Sequence, residues 1–118
     1  MSEQDVQLSV EQDADVTIIS VLTARVPVGL SEVFEERVVK TVSRLEQPKV
    51  LIDFQGVEFI SSAILGKLIK LNGWVMDQEG QLKLSSLSER IREVFHITGL
   101  DKLFSIHPTR DEAVKAFH

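Results

Sequence analysis

The chain has 118 residues, enough for one ordinary domain with its own core and too few for two. Its 13 basic and 18 acidic residues give a net charge of −5, and the basic residues are scattered among acids, which argues against nucleic-acid binding. The absence of cysteine excludes disulfides and thiolate zinc sites, and no apolar run approaches the roughly 20 residues of a membrane span.

The acidic, polar start Met1-Ser2-Glu3-Gln4-Asp5 is the reverse of a secretory signal, so a cytoplasmic chain with no membrane insertion is expected. Val6 to Val10 alternates apolar and polar residues, and Val16 to Leu22 is rich in β-branched residues. The turn-prone Gln12-Asp13-Ala14-Asp15 between them predicts a hairpin, and hence a mixed sheet. A first helix is expected from Ser31 as N-cap, with Phe34, Val38, Val42 and Leu45 as its apolar stripe and Pro48 as its stop. Val50 to Phe54 is nearly continuous in apolar residues, as in a central strand covered on both faces.

Ser61 or Ser62 then caps a second helix. At about 100° per residue, Ile64, Leu65, Leu68, Ile69, Val75 and Met76 fall on one side, and Lys67, Lys70, Trp74 and Asp77 on the other. Gly80 follows its end, and Gln81 to Leu84 supplies another strand. Ser88 opens a third helix carrying Ile91, Val94 and Phe95, closed by Gly99. Leu103 to Ile106 reads as an edge strand, and Thr109 with Glu112 has capping-box spacing ahead of Val114 and Phe117. Strands alternating with helices predict an α/β fold.

The chemistry-bearing motifs of enzymes are missing. There is no glycine-rich phosphate loop, nucleophile elbow or paired-histidine metal motif. His96, His107 and His118 stand without a partner at ligand spacing, so neither metal, cofactor nor catalysis is expected. What remains is Val57 to Lys67, V-E-F-I-S-S-A-I-L-G-K, which runs from the end of a buried strand through two serines into a helix start. A hydroxyl there caps the helix, and a phosphate there would meet unpaired backbone N–H groups and the positive end of the helix dipole. On the residues alone, capping is the more ordinary role for Ser61 and Ser62.

Two stretches carry a family resemblance. L-I-D-F-Q-G-V-E-F-I-S-S-A-I-L-G at Leu51 to Gly66 resembles the strand–loop–helix of STAS domains (sulfate transporter and anti-sigma factor antagonist). E-R-I-R-E-V-F-H-I-T-G-L-D-K-L-F-S-I at Glu89 to Ile106 resembles their helix, its Thr-Gly-Leu exit and the closing strand, and T-R-D-E-A-V-K-A-F fits their last helix. The resemblance implies a single α/β domain over residues 1–118, a mixed sheet of about five strands with about four helices against it.

It also implies an anti-sigma factor antagonist. The unphosphorylated domain binds an anti-sigma factor that is itself a serine kinase; phosphorylation releases it, and a serine phosphatase resets it. Ser62 matches the phosphoacceptor, Ser61 the position before it and Asp53 the strand aspartate. Departures are Ile64, where a glycine is common, and Leu22-Thr23-Ala24-Arg25, where Gly-x-Leu-Asp is frequent; Ile64 is expected to add bulk beside the acceptor. The expected partner surface comprises Arg25, Asp53, Ser61, Ser62, Ile64, Leu65, Lys67, Lys70 and Trp74. Self-association stays open. The alternatives are a STAS scaffold or transporter-associated subunit without a phosphoswitch and, less favoured, a small nucleotide-binding domain.

Overall fold

The computed structural model describes residues 5–118, so the start of the chain, read above as unlike a secretory signal, lies outside the described residues except for Asp5. Strands β1 (Leu8–Asp13) and β2 (Val16–Val21) form an antiparallel hairpin. Its register runs to Asp13 opposite Val16, so the turn is Ala14-Asp15 alone, with Ala14 at φ 56°. The first strand therefore lies two residues beyond its expected start at Val6. Val6 itself is buried, and its carbonyl accepts a 2.6 Å hydrogen bond from Arg37 Nη1.

A two-residue strand β3 (Arg25–Val26) and a 3-10 turn at Val28–Leu30 lead into helix α1 (Ser31–Val42). Ser31 is the first helical residue and not the cap; it is buried, and its hydroxyl donates to the Val28 carbonyl at 2.8 Å. The helix stops at Val42, well before Pro48, as Ser43 and Leu45 close a turn and Gln47 takes φ 48°. Strand β4 (Lys49–Asp53), a two-residue strand β5 (Phe59–Ile60) and helix α2 (Ser62–Asp77) follow. Then come β6 (Gln81–Ser85), α3 (Glu89–Thr98), β7 (Ser105–His107) and α4 (Arg110–Ala116).

The main sheet has the order β1-β2-β4-β6-β7, with β2, β4, β6 and β7 parallel. It is the mixed sheet that the hairpin predicts, with the five strands and four helices that the family resemblance implies. Strands β3 and β5 pair separately in parallel; two residues are too short to leave a period-2 signal. Gly80 sits where β6 starts against the lead-in to β4, so close that a Cβ there would lie 2.2 Å from the Pro48 carbonyl oxygen.

Alternation along the strands divides the core. Ile19, Val21, Val50, Ile52, Leu82 and Leu84 join Phe34, Val38, Leu68, Ile91 and Phe95 from α1, α2 and α3. Val16, Ile18 and Leu51 on the other face meet Ala113 and Phe117 of α4. Ser88 and Thr109 cap α3 and α4 as predicted, accepting from Ile91 N and Glu112 N, and Gly99 closes α3 at φ 79°. The last strand begins at Ser105 rather than Leu103 because Phe104 turns inward to meet Phe95 edge-on at 5.7 Å.

Beneath α4, His107 Nε2 lies 2.9 Å from Ser105 Oγ, which also accepts from Lys83 Nζ at 3.2 Å. Burial and the neighbouring Lys83 charge push the imidazole below its ordinary 6.5, against a weaker upward pull from Glu112. The unfolded chain then takes up this proton first, so the contribution is complete above about pH 6.5 and is lost as pH falls through the folded value. Asp15, held by Lys49 and His118, is lowered to about 2, so its contribution persists to far lower pH. We expect the unfolding midpoint to fall between pH 7 and about pH 5, and His107→Gln to flatten that part of the profile while leaving the loss below pH 4 intact. Thermal unfolding followed by circular dichroism across pH checks both.

Candidate functional site

The serine pair is positioned by the buried strand that precedes it. β4 is covered on both faces and ends at Asp53, which is 3% exposed and accepts a 2.7 Å hydrogen bond from Ser85 Oγ at the end of β6. Phe54 N donates to the Ser85 carbonyl at 3.0 Å, and Gly56 turns the chain at φ 87°. The segment then runs beside β3, with Arg25 opposite Phe59 and Val26 opposite Ile60. Ser61 N donates to the Val26 carbonyl at 3.0 Å, which delivers the chain to the start of α2.

The two serines then divide their roles. Ser61 is extended (φ −79°, ψ 165°) and is the N-cap: its Oγ accepts from Ile64 N at 3.4 Å. Ser62 is the first helical residue, is exposed and takes no part in the cap. Its side chain is thus left at the positive end of a 16-residue helix.

The expected partner surface separates into internal and external residues. Asp53, Ile64 and Leu65 are buried, which removes them from direct contact with a partner. Asp53 shapes the site by joining the ends of β4 and β6, and Ile64 points into the core instead of crowding Ser62. Lys67 and Lys70 face α1: Lys67 Nζ lies 3.1 Å from Glu32 and 2.9 Å from Glu35, and Lys70 Nζ 3.0 Å from Glu35. These contacts lower the Glu35 carboxyl and raise Lys67. Lys67 is only 17% exposed and largely committed, whereas Lys70 remains 70% exposed. Trp74, on the same flank, is half-buried against the main core.

The expected apolar stripe of α2 also needs correcting. Leu71 and Asn72 are buried in place of Ile69 and Met76, which are 42% and 62% exposed. Ser62, Gly66, Ile69, Gly73 and Met76 follow one another at steps of four, three, four and three, and all are exposed. At about 100° per residue they form one line down the helix from Ser62. A Cβ at Gly66 or Gly73 would meet nothing within 4 Å, so the fold itself does not require either glycine. The sequence signal that marks this line is the pair of glycines interleaved with two apolar residues at a period of 3.5.

A five-stranded mixed sheet backed by three helices on one face and one on the other, with paired serines at the start of α2, defines a STAS fold. The chain belongs to the STAS domain family, whose profile matches residues 7–113. A Bordetella bronchiseptica protein named as the anti-sigma factor antagonist BtrV is 29% identical over 103 residues, covering 87% of this chain and 88% of its own. The solved structure of an anti-sigma-factor antagonist (STAS) domain protein from Planctomyces limnophilus is 28% identical. It superposes with a TM-score of 0.86 over 96% of this chain and 97% of that one. The Bacillus cell fate determinant SpoIIAA, solved in its phosphorylated form, shares the fold at 17% identity, with a TM-score of 0.64 over 95% of this chain and all of its own.

The separate positions of the serines make separable predictions. Ser61→Ala removes the cap and is expected to cost about 1 kcal/mol, whereas Ser62→Ala is expected to stay within about 0.5 kcal/mol of the parent. Urea denaturation of the two variants measures the difference.

Proposed function

We propose that this chain is a non-catalytic anti-sigma factor antagonist that acts in the cytoplasm as a single domain and works by partner exchange. Unphosphorylated, it binds an anti-sigma factor that is also a serine kinase. That kinase transfers the γ-phosphoryl group of ATP to Ser62 Oγ, the complex parts, and a serine phosphatase restores the hydroxyl. The observation that carries this reading is the exposed Ser62 at the first position of α2, with the capping duty already met by Ser61. The names of the relatives, and a phosphorylated form among them, support it.

The physics of release follows from that placement. A phosphate adds about −1.5 to −2 charges and three acceptor oxygens. At a helix N-terminus the domain tolerates both, because the N–H groups and dipole there favour an anion. A partner packed against Ser62 meets the charge and bulk directly. Binding is therefore lost while the fold is kept.

The docking face in this reading is the line Ser62, Gly66, Ile69, Gly73 and Met76, bordered by Lys70. Glycines that the fold does not need allow a partner's backbone to approach closely, and the exposed Ile69 and Met76 supply apolar contact. Mass spectrometry after incubation with the candidate kinase and ATP is expected to find phosphate on Ser62; phosphate on neither serine would refute the switch. Gly66→Ala and Gly73→Ala should each stabilise the free domain by up to about 1 kcal/mol. Each should also weaken binding of the anti-sigma factor about tenfold or more, read by calorimetry. Wild-type affinity in both variants would place the docking face elsewhere.

A further inference from the structure

Arg25 stands on the outer side of the β3–β5 pair, directly opposite Phe59, with its Cζ 4.7 Å from the ring centroid. A guanidinium stacked on a ring is held in place through its flat face while the N–H groups on its edge stay open. Arg25 takes part in none of the ion pairs among the described residues, although Glu58 adjoins Phe59 in the chain. The cations on α2 are differently placed: Lys67 and Lys70 are engaged by Glu32 and Glu35.

The strand carrying Arg25 runs beside the segment that leads into α2, and the Ser61 N to Val26 carbonyl bond extends that pairing to the helix cap. At about 3.3 Å per residue, the backbone from Phe59 to Ser62 covers about 10 Å. The open edge of the guanidinium over Phe59 and a phosphoserine side chain reaching back from position 62 would close that gap between them. We propose that Arg25 receives the phosphate of phosphorylated Ser62 within the same chain, through charge-assisted hydrogen bonds from its guanidinium. This rests on the reading of Ser62 as the acceptor. The phosphorylated domain then carries at Ser62 an anion held on one side by Arg25, whose guanidinium keeps its flat face on Phe59.

The test installs phosphoserine at position 62 during translation, so no kinase is needed, and follows the phosphate by phosphorus NMR across pH. An unconstrained phosphoserine titrates near pH 6. The phosphate is expected to titrate about half a pH unit or more lower with Arg25 present than in Arg25→Gln. Lys115→Gln on α4, across the sheet, should titrate as the parent. The same titration in Arg25→Gln and parent would overturn the proposal, and so would an equal shift in Lys115→Gln. Should Arg25→Gln fail to fold, Arg25→Met keeps an apolar stem to pack on Phe59 without the charge; an upward shift supports the contact, and an unchanged titration overturns it. A failure of enzymatic phosphorylation at Ser62 would refute the switch while leaving this titration as the separate measure of Arg25.

Discussion

The burial of β4 between β2 and β6 is the constraint on which the serine site depends. A strand covered on both faces cannot shift by one residue without turning its apolar side chains toward the wrong layer. Its register is therefore fixed, and with it the level at which the chain leaves the sheet. Asp53 and Ser85 fasten the ends of β4 and β6 at that level. The short β3–β5 pair then carries the chain to Ser61. The serines are thus presented by the rigid part of the fold, and Ser62 is held at a surface where charge can change without disturbing the core.

In the proposed function, stability and signalling fall to two adjacent residues. Ser61 satisfies a backbone donor and belongs to the helix. Ser62 satisfies nothing in the fold and is open to modification. A single serine performing both tasks would lose its cap on phosphorylation or hide its hydroxyl in the cap. The Lys67–Glu35–Lys70 cluster has a similarly internal purpose, tying α2 to α1 through partly exposed ion pairs of modest energy.

Much of the fold was legible in the sequence because its signals are local. The apolar run at Val50 to Phe54, the caps at Ser88 and Thr109, and the glycine at position 99 each state their structure within a few residues. The displaced boundaries arise where tertiary contacts override local pattern. Ser31 has the chemistry of a cap, but the 3-10 turn ahead of it already supplies the helix start. Phe104 reads as strand, but its burial against Phe95 delays the strand by two residues. At the candidate site, the position of the serine pair was legible and the identity of the surrounding surface was not. Ile69 and Met76 were assigned inward because apolar residues usually point there, whereas the helix rolls to bury Leu71 and Asn72. The commitment of Lys67 to α1 depends on a neighbour more than 30 residues away in sequence, which helical phase alone cannot reveal.

The open edge of the hairpin strand β1 has a consequence for how copies of this chain meet. Nothing in the described fold covers that edge, and strand addition there would extend the sheet. Its sequence, Leu8-Ser9-Val10-Glu11-Gln12-Asp13, sets the terms of any such pairing. An antiparallel copy centred on the strand brings Leu8 against Asp13 and Val10 against Glu11. Sliding by one residue brings Glu11 against its own twin, and sliding farther brings Glu11 against Asp13. Sliding the other way instead pairs Val10 with its twin and Leu8 with Gln12, so the acids Glu11 and Asp13 disfavour pairing along the second half of the edge and leave only its first half compatible with it. The acidic half of the strand thereby restricts strand addition at a bare β-edge without a helix to cover it.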